Sequence, residues 1–183
     1  ILTNKDLEKI RSVETALDGA FRTETIDMTW DAASGADGLE MAIKEMCWAA
    51  TEAVLQDRNI LILSDRAQGS DRIPMPALLA TAAVHHHLVR EGTRLQIGLV
   101  VETGQAKEIH HVACLIGYGA AAVNPYVMFE SLYALHREGR LPEGMAPDEA
   151  VARGIKAIGK GLLKILSKMG ISTIRSYTGA QIF

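Results

Sequence analysis

Short apolar runs that favour extended backbone alternate with stretches of helical periodicity, and this alternation leaves few folds open to the chain. The runs fall at residues 25–30, 60–64, 95–102, 121–124 and 171–174. Between the first two, Leu39, Ile43, Met46, Ala50, Ala53 and Val54 recur at helix spacing across 36–56. Between the next two, Pro74 and Pro76 stand where a helix starts, the pattern continues from Leu78 to Arg90, and Gly92 supplies a stop. A third helix is expected over 105–115, ending at Gly117-Tyr118-Gly119. Strands such as Ile60-Leu61-Ile62-Leu63 are apolar throughout rather than alternating, which is the signature of a sheet covered on both faces. The expected fold is α/β with a mainly parallel sheet and helical crossovers, either a Rossmann-like open sheet or part of a TIM-type barrel.

The later pattern is more helical. After Asn124-Pro125-Tyr126 a helix is expected to about Arg137, then a polar turn over 138–144, then a last helix from about Pro147 to Met169, interrupted at Gly154. Residues 3–16 read as a short helix with Thr3 or Asn4 as its cap. The tail at 171–174 reads as the start of a strand, with Phe183 following soon after. The chain opens on Ile1, and both ends are expected to be cuts in a longer polypeptide.

Composition narrows the function classes. A net charge of -3 over 183 residues offers no global attraction to nucleic acid or an anionic membrane, and 5% aromatic residues argue against a base-stacking surface. No apolar run approaches the length of a membrane span. Cys47 and Cys114 form no CxxC pair and are expected to be reduced core residues in a cytoplasmic or organellar protein.

The strands share one chemical feature: each is apolar until its carboxyl end. There the sequence turns to Ser64-Asp65-Arg66, Glu102-Thr103-Gly104 and Asn124-Pro125-Tyr126. Ligand crevices of parallel α/β sheets open at that edge, so Asp65, Arg66, Glu102 and Asn124 are the candidates for binding or domain contact. Adjacent residues on an extended strand point to opposite sides, so Asp65 and Arg66 are expected to find partners on other strand ends. His85-His86-His87 looks like a metal site. On a helix, however, the three rings point about 100° apart, and no HExxH spacing accompanies them. Residues 154–160 match the first part of a P-loop, but Gly161 stands where Ser or Thr would hold Mg²⁺ and no strand precedes it. Lys156, Lys160, Lys164 and Lys168 instead form the basic stripe of an amphipathic helix.

Several runs, in consistent order along most of the chain, resemble the large subunit of the glutamate synthases. They are Leu61-Ile62-Leu63-Ser64-Asp65-Arg66, His85-His86-His87-Leu88-Val89-Arg90-Glu91-Gly92, Leu99-Val100-Val101-Glu102-Thr103-Gly104, His110-His111-Val112-Ala113, Gly117-Tyr118-Gly119-Ala120, Val123-Asn124-Pro125-Tyr126 and the stretch 160–173. The resemblance implies a position within that much longer subunit. Residues 1–159 would be the latter part of its central connector domain, and 160–183 the start of its FMN-binding barrel. The family moves ammonia from glutamine to 2-oxoglutarate, with electrons passing through an iron–sulfur cluster and FMN. Its glutaminase begins with a nucleophilic cysteine, whereas position one here is Ile1, and Cys47 and Cys114 do not match the spacing of the cluster ligands.

On this reading the piece is a connector, inactive alone, with no cofactor of its own. FMN and an iron–sulfur cluster would belong to the parent. Its partners would be the neighbouring glutaminase and FMN domains of the same polypeptide, with self-association through exposed contact surface, in a cytoplasmic or plastid setting. Asp65, Arg66, Glu102 and Asn124 would contact those domains, and the run Lys168-Met169-Gly170-Ile171-Ser172, matching the first barrel strand, would approach the flavin. The residues alone also leave open a free-standing α/β module binding a small anionic metabolite at the strand ends, and a metal-dependent enzyme built on the histidines.

Overall fold

In the structure, a computed structural model that describes residues 1–182, four parallel strands form one sheet. They are β1 (Thr23–Asp27), β3 (Ile60–Ser64), β5 (Gly98–Glu102) and β6 (Ala122–Asn124), in the spatial order β1-β3-β5-β6. The other two strands, β2 (Thr29–Asp31) and β4 (Arg72–Pro74), pair antiparallel as a separate ribbon beyond the carboxyl ends of β1 and β3. The run expected at 25–30 is thus two strands. Met28 is the hinge, its N–H bonded to Ser64 O and its carbonyl accepting from Met75 N.

Side-chain alternation along each strand divides the core. Leu61, Leu63, Leu99 and Val101 point to one face and meet α3 (Gly35–Leu55), α4 (Ala77–Arg90), α5 (Ile109–Gly117) and α7 (Pro147–Lys168) through residues such as Ala50, Val84, Val112 and Leu162. Ile62 and Val100 point to the other face, where a single short helix, α1 (Asn4–Arg11), lays Leu7 on them with Leu2 and Ile10 alongside. The start of α1 is fixed by a capping box. The Thr3 hydroxyl accepts from Asp6 N–H at 3.1 Å, and the Asp6 carboxylate accepts from Thr3 N–H at 3.2 Å. One turn, α2 (Val13–Ala16), follows and leads to β1, and α6 (Tyr126–Arg137) follows β6.

Three expectations shift. The helix expected from residue 105 begins only at Ile109, because Gln105 is used elsewhere. Its amide oxygen caps Ala77 N–H at 2.9 Å and its amide nitrogen donates to Met75 O at 2.7 Å, pinning the start of α4. The front of the run at 95–102 is a 3-10 turn, Arg94–Gln96. Gly154 does not interrupt α7, which is continuous through it.

The tail is not a strand. Gly170, at φ +70°, closes α7 while Ile171 N–H returns to Leu166 O, and Thr173 caps the one-turn helix α8 (Ile174–Tyr177). Tyr177 is then buried against α5 with its hydroxyl donating to Ala113 O at 3.0 Å. Gly179 N–H and Gln181 N–H bond to the Ile116 and Gly117 carbonyls. These donors satisfy the exposed carbonyls at the end of α5, so the segment has a helix terminus as its partner in place of a sheet edge.

Candidate functional site

Strand register brings the polar ends together. Ser64 at the end of β3 lies opposite Glu102 at the end of β5, and Glu102 lies opposite Asn124 at the end of β6. Asp65, Glu102 and Asn124 are all fully buried along this edge. A charge buried that deeply must be paired and hydrogen-bonded, and each of these groups is engaged by the chain itself.

Glu102 is the centre. One carboxylate oxygen accepts from Ser64 Oγ at 2.5 Å and from Arg11, and the other accepts from Arg66 Nε at 2.5 Å. Arg11 arrives from the end of α1, across the open face of the sheet, and also donates to Thr25 Oγ1 at 2.8 Å. Arg66 continues outward to Glu130 on α6 at 3.0 Å, with its guanidinium 4.1 Å from the centre of the Tyr126 ring. Burial pushes the Glu102 carboxyl up, but the donors Ser64, Arg66 and Arg11 outweigh it and hold the group below its ordinary value. Burial likewise lowers Arg66, and its two carboxylate partners more than reverse that.

Asp65 and Arg66 do not pair with each other. Asp65 accepts from Thr103 Oγ1 at 2.6 Å and from Gly104 N–H at 3.1 Å, which ties the β3 loop to the β5 loop. Burial, and then the Asp65 carboxylate, push the Tyr126 hydroxyl well above its usual value, while Gln68 donates to it at 2.5 Å. The Asn124 amide nitrogen donates to Leu2 O and Asn4 Oδ1, both at 3.0 Å, fastening the chain's first residues to β6. Its own Oδ1 is buried without a partner among the described residues. Of the four candidate residues only Arg66 reaches solvent, with 39% of its side chain exposed. Arg11, Tyr126 and Glu130 complete the network. Arg11 carries no local signal for this role, since its part depends on α1 crossing the sheet.

The arrangement is suited to holding strand ends rigid more than to moving protons. A carboxylate locked between two guanidiniums is a weak base, and Glu102 has no free oxygen to offer a substrate. Elsewhere the histidines disperse. His85 Nδ1 accepts from Arg94 Nε at 2.9 Å, His86 pairs with the Gln181 amide at 2.8 Å and His87 with Thr51 Oγ1 at 2.7 Å. Among the described residues no group of three or more His, Cys, Asp or Glu is placed to hold a metal ion. Cys47 and Cys114 are free thiols on different helices. Two cysteines, one on α3 and one on α5, fall short of the four thiolates that hold an iron–sulfur cluster, so they do not fit that cofactor; burial pushes both thiols up. Lys168, Met169, Gly170, Ile171 and Ser172 lie where α7 ends. That is the negative end of the helix, and the amides of Met169, Gly170 and Ile171 turn back onto its carbonyls. The segment therefore does not fit as a cradle for a flavin phosphate. No helix among the described residues is long and apolar enough to cross a membrane.

A family model described as the glutamate synthase central domain matches residues 1–183. The NADPH glutamate synthase large chain of Bacillus subtilis is 40% identical over 176 residues, covering 96% of this chain and 11% of that protein. The NADH glutamate synthase of Schizosaccharomyces pombe is 39% identical over 183 residues, covering 100% of this chain and 9% of its own length. The chloroplastic ferredoxin-dependent glutamate synthase of Spinacia oleracea is 40% identical over 178 residues, 91% of this chain and 11% of that protein. The chain thus spans about a tenth of the curated relatives it matches. Among solved structures, the L230A mutant of flavocytochrome b2 with benzoylformate aligns over 92% of this chain and 36% of that one, with a TM-score of 0.61 at 14% identity, a likeness of fold alone.

Proposed function

Because the chain belongs to the glutamate synthase central domain family, we propose that it works as a connector segment of a glutamate synthase and catalyses nothing by itself. The parent would be an oxidoreductase that moves ammonia from glutamine to 2-oxoglutarate and reduces the product to glutamate. The observation that carries this reading is the closure of the sheet's carboxyl edge. Where a parallel α/β fold would house a ligand, Glu102 is enclosed by Ser64, Arg11 and Arg66, all from this chain.

In this reading the buried Asp65, Glu102 and Asn124 serve domain contact indirectly, by holding Arg66 and its partner Glu130 at the surface facing a neighbouring domain. Residues 160–183 lead toward the flavin-binding domain, with Lys168 to Ser172 beside it. Of these, Lys168 and Ser172 are exposed and would meet the polar rim of a flavin ring more readily than its phosphate. FMN would supply the parent's electron transfer, and an iron–sulfur cluster would be held by cysteines elsewhere. The ammonia passage, the glutaminase partner and a cytoplasmic or plastid setting belong to the same proposal.

Titration calorimetry of the 183-residue chain with FMN, 2-oxoglutarate and glutamine tests the reading. Absence of heat and of flavin absorbance is expected. Tight uptake of any of the three would favour a metabolite-binding module and overturn the connector.

A further inference from the structure

The two outer edges of the sheet are treated differently. Beside β6, Leu2 donates its N–H to Val123 O and Asn124 reaches Leu2 O, so the chain's own first residues cover that edge. At the other side, among the described residues, β1 pairs with β3 alone. The ladder between them runs from Ile60 N–H on Arg22 O to Met28 N–H on Ser64 O. By the alternation of a parallel ladder, the backbone groups of Thr23, Thr25 and Asp27 point away from the sheet. An unpaired row of this kind is a template for an added strand.

The ground beside that row is shaped to receive one. Two adjoining cavities of about 350 and 380 Å³ share Ile26, Asp27 and Ala49 and run between β1 and α3. Ile26, Met46 and Ala53 give them an apolar floor. Four carboxylates, Glu24, Asp27, Glu45 and Glu52, line them; Asp27 is bound to Arg72 at 2.7 Å and Glu24 to Arg58 at 3.5 Å, which leaves Glu45 and Glu52, among the described residues, without a cation. A second copy of this chain presenting the same edge would set like charges against like, which disfavours a β1–β1 pair.

We infer that the outer edge of β1 takes up an extended segment carrying lysine or arginine, supplied from outside these 183 residues by the same longer polypeptide. The inference rests on the connector reading only in where it seeks that segment. The occupant's backbone would extend the ladder through Thr25 and Asp27, and its cations would meet Glu45 and Glu52.

Hydrogen exchange in the full-length enzyme tests this. The Thr25 and Asp27 amides should exchange about 100-fold more slowly than open-edge amides, and a Glu45→Lys, Glu52→Lys variant should return them to fast exchange while the Leu63 amide stays protected. Fast exchange in the unaltered enzyme, or protection indifferent to the charge reversal, would overturn the proposal. Carbodiimide coupling adds the identity of the occupant. Glu45 or Glu52 joined to a lysine outside residues 1–183 of the same polypeptide supports the inference, and a link between two copies overturns it. Flavin uptake by the isolated chain would defeat the connector reading without touching either result.

Discussion

Replacing Glu102 with alanine would take from Arg11 and Arg66 the buried carboxylate they share and leave two like charges side by side. The expected loss in unfolding free energy is about 3–5 kcal/mol, the usual cost of breaking a buried ion pair from one side. Glu130→Ala, at a half-exposed partner of the same Arg66, should cost less than about 1 kcal/mol. Urea denaturation of the two variants separates the cases. Acid sensitivity has two sources of the same sign. The folded-state value of Glu102 is depressed, so its contribution is present above the ordinary carboxyl value of 4.5 and is lost as pH falls through the folded value. Burial first, then Arg94 and His86, pull His85 from 6.5 to about 4. Between those pH values the unfolded chain binds a proton that the folded chain refuses. Stability therefore falls as pH drops from 6.5 to 4, by at most about 1.4 kcal/mol per unit. His85→Asn should flatten that slope in denaturation curves taken across the window. The polar strand ends were legible in sequence because residue type changes abruptly after an apolar run. The embrace of Glu102 by Arg11 was not, since the two lie 91 positions apart and nothing local to Arg11 marks it.

Elements formed where periodicity or a continuous apolar run was sustained. The span expected at 36–56 is α3 at Gly35–Leu55, and β3 falls at Ile60–Ser64 as read. Error entered where a side chain was claimed by something distant, as Gln105 is by the start of α4, or where a β-favouring run met a helix end, as at 171–174. Two glycines of α7 show how much context decides. A methyl group on Gly159 would meet nothing within 4 Å, so Gly159→Ala should gain about 0.5–1 kcal/mol of helix propensity. On Gly161 it would stand 2.4 Å from Ile109 Cδ1, where α7 presses on α5, and Gly161→Ala should cost about 1–3 kcal/mol through overpacking. Thermal melts of the pair should move in opposite directions.

At the scale of the whole molecule, one face of the sheet carries four helices and the other carries α1. Deleting residues 1–11 would uncover Ile62 and Val100, open the edge of β6 and take one cation from Glu102. The shortened chain is expected to lose cooperative unfolding and to bind a hydrophobic dye, whereas the intact chain should unfold in one transition. The α/β class followed from the strand–helix alternation. Which face would be thinly covered did not, because α1 reads as an ordinary amphipathic helix wherever it lies.

That placement of α1 also fixes an order of events. Leu2 can bond Val123, and Arg11 can reach Glu102, only after β5 and β6 have joined the sheet, so contacts spanning most of the sequence must wait for the middle of the chain. Of these 183 residues, the ones made first are therefore among the last to settle, and until they do, the half-built sheet depends on whatever else in the cell can shelter its bare side.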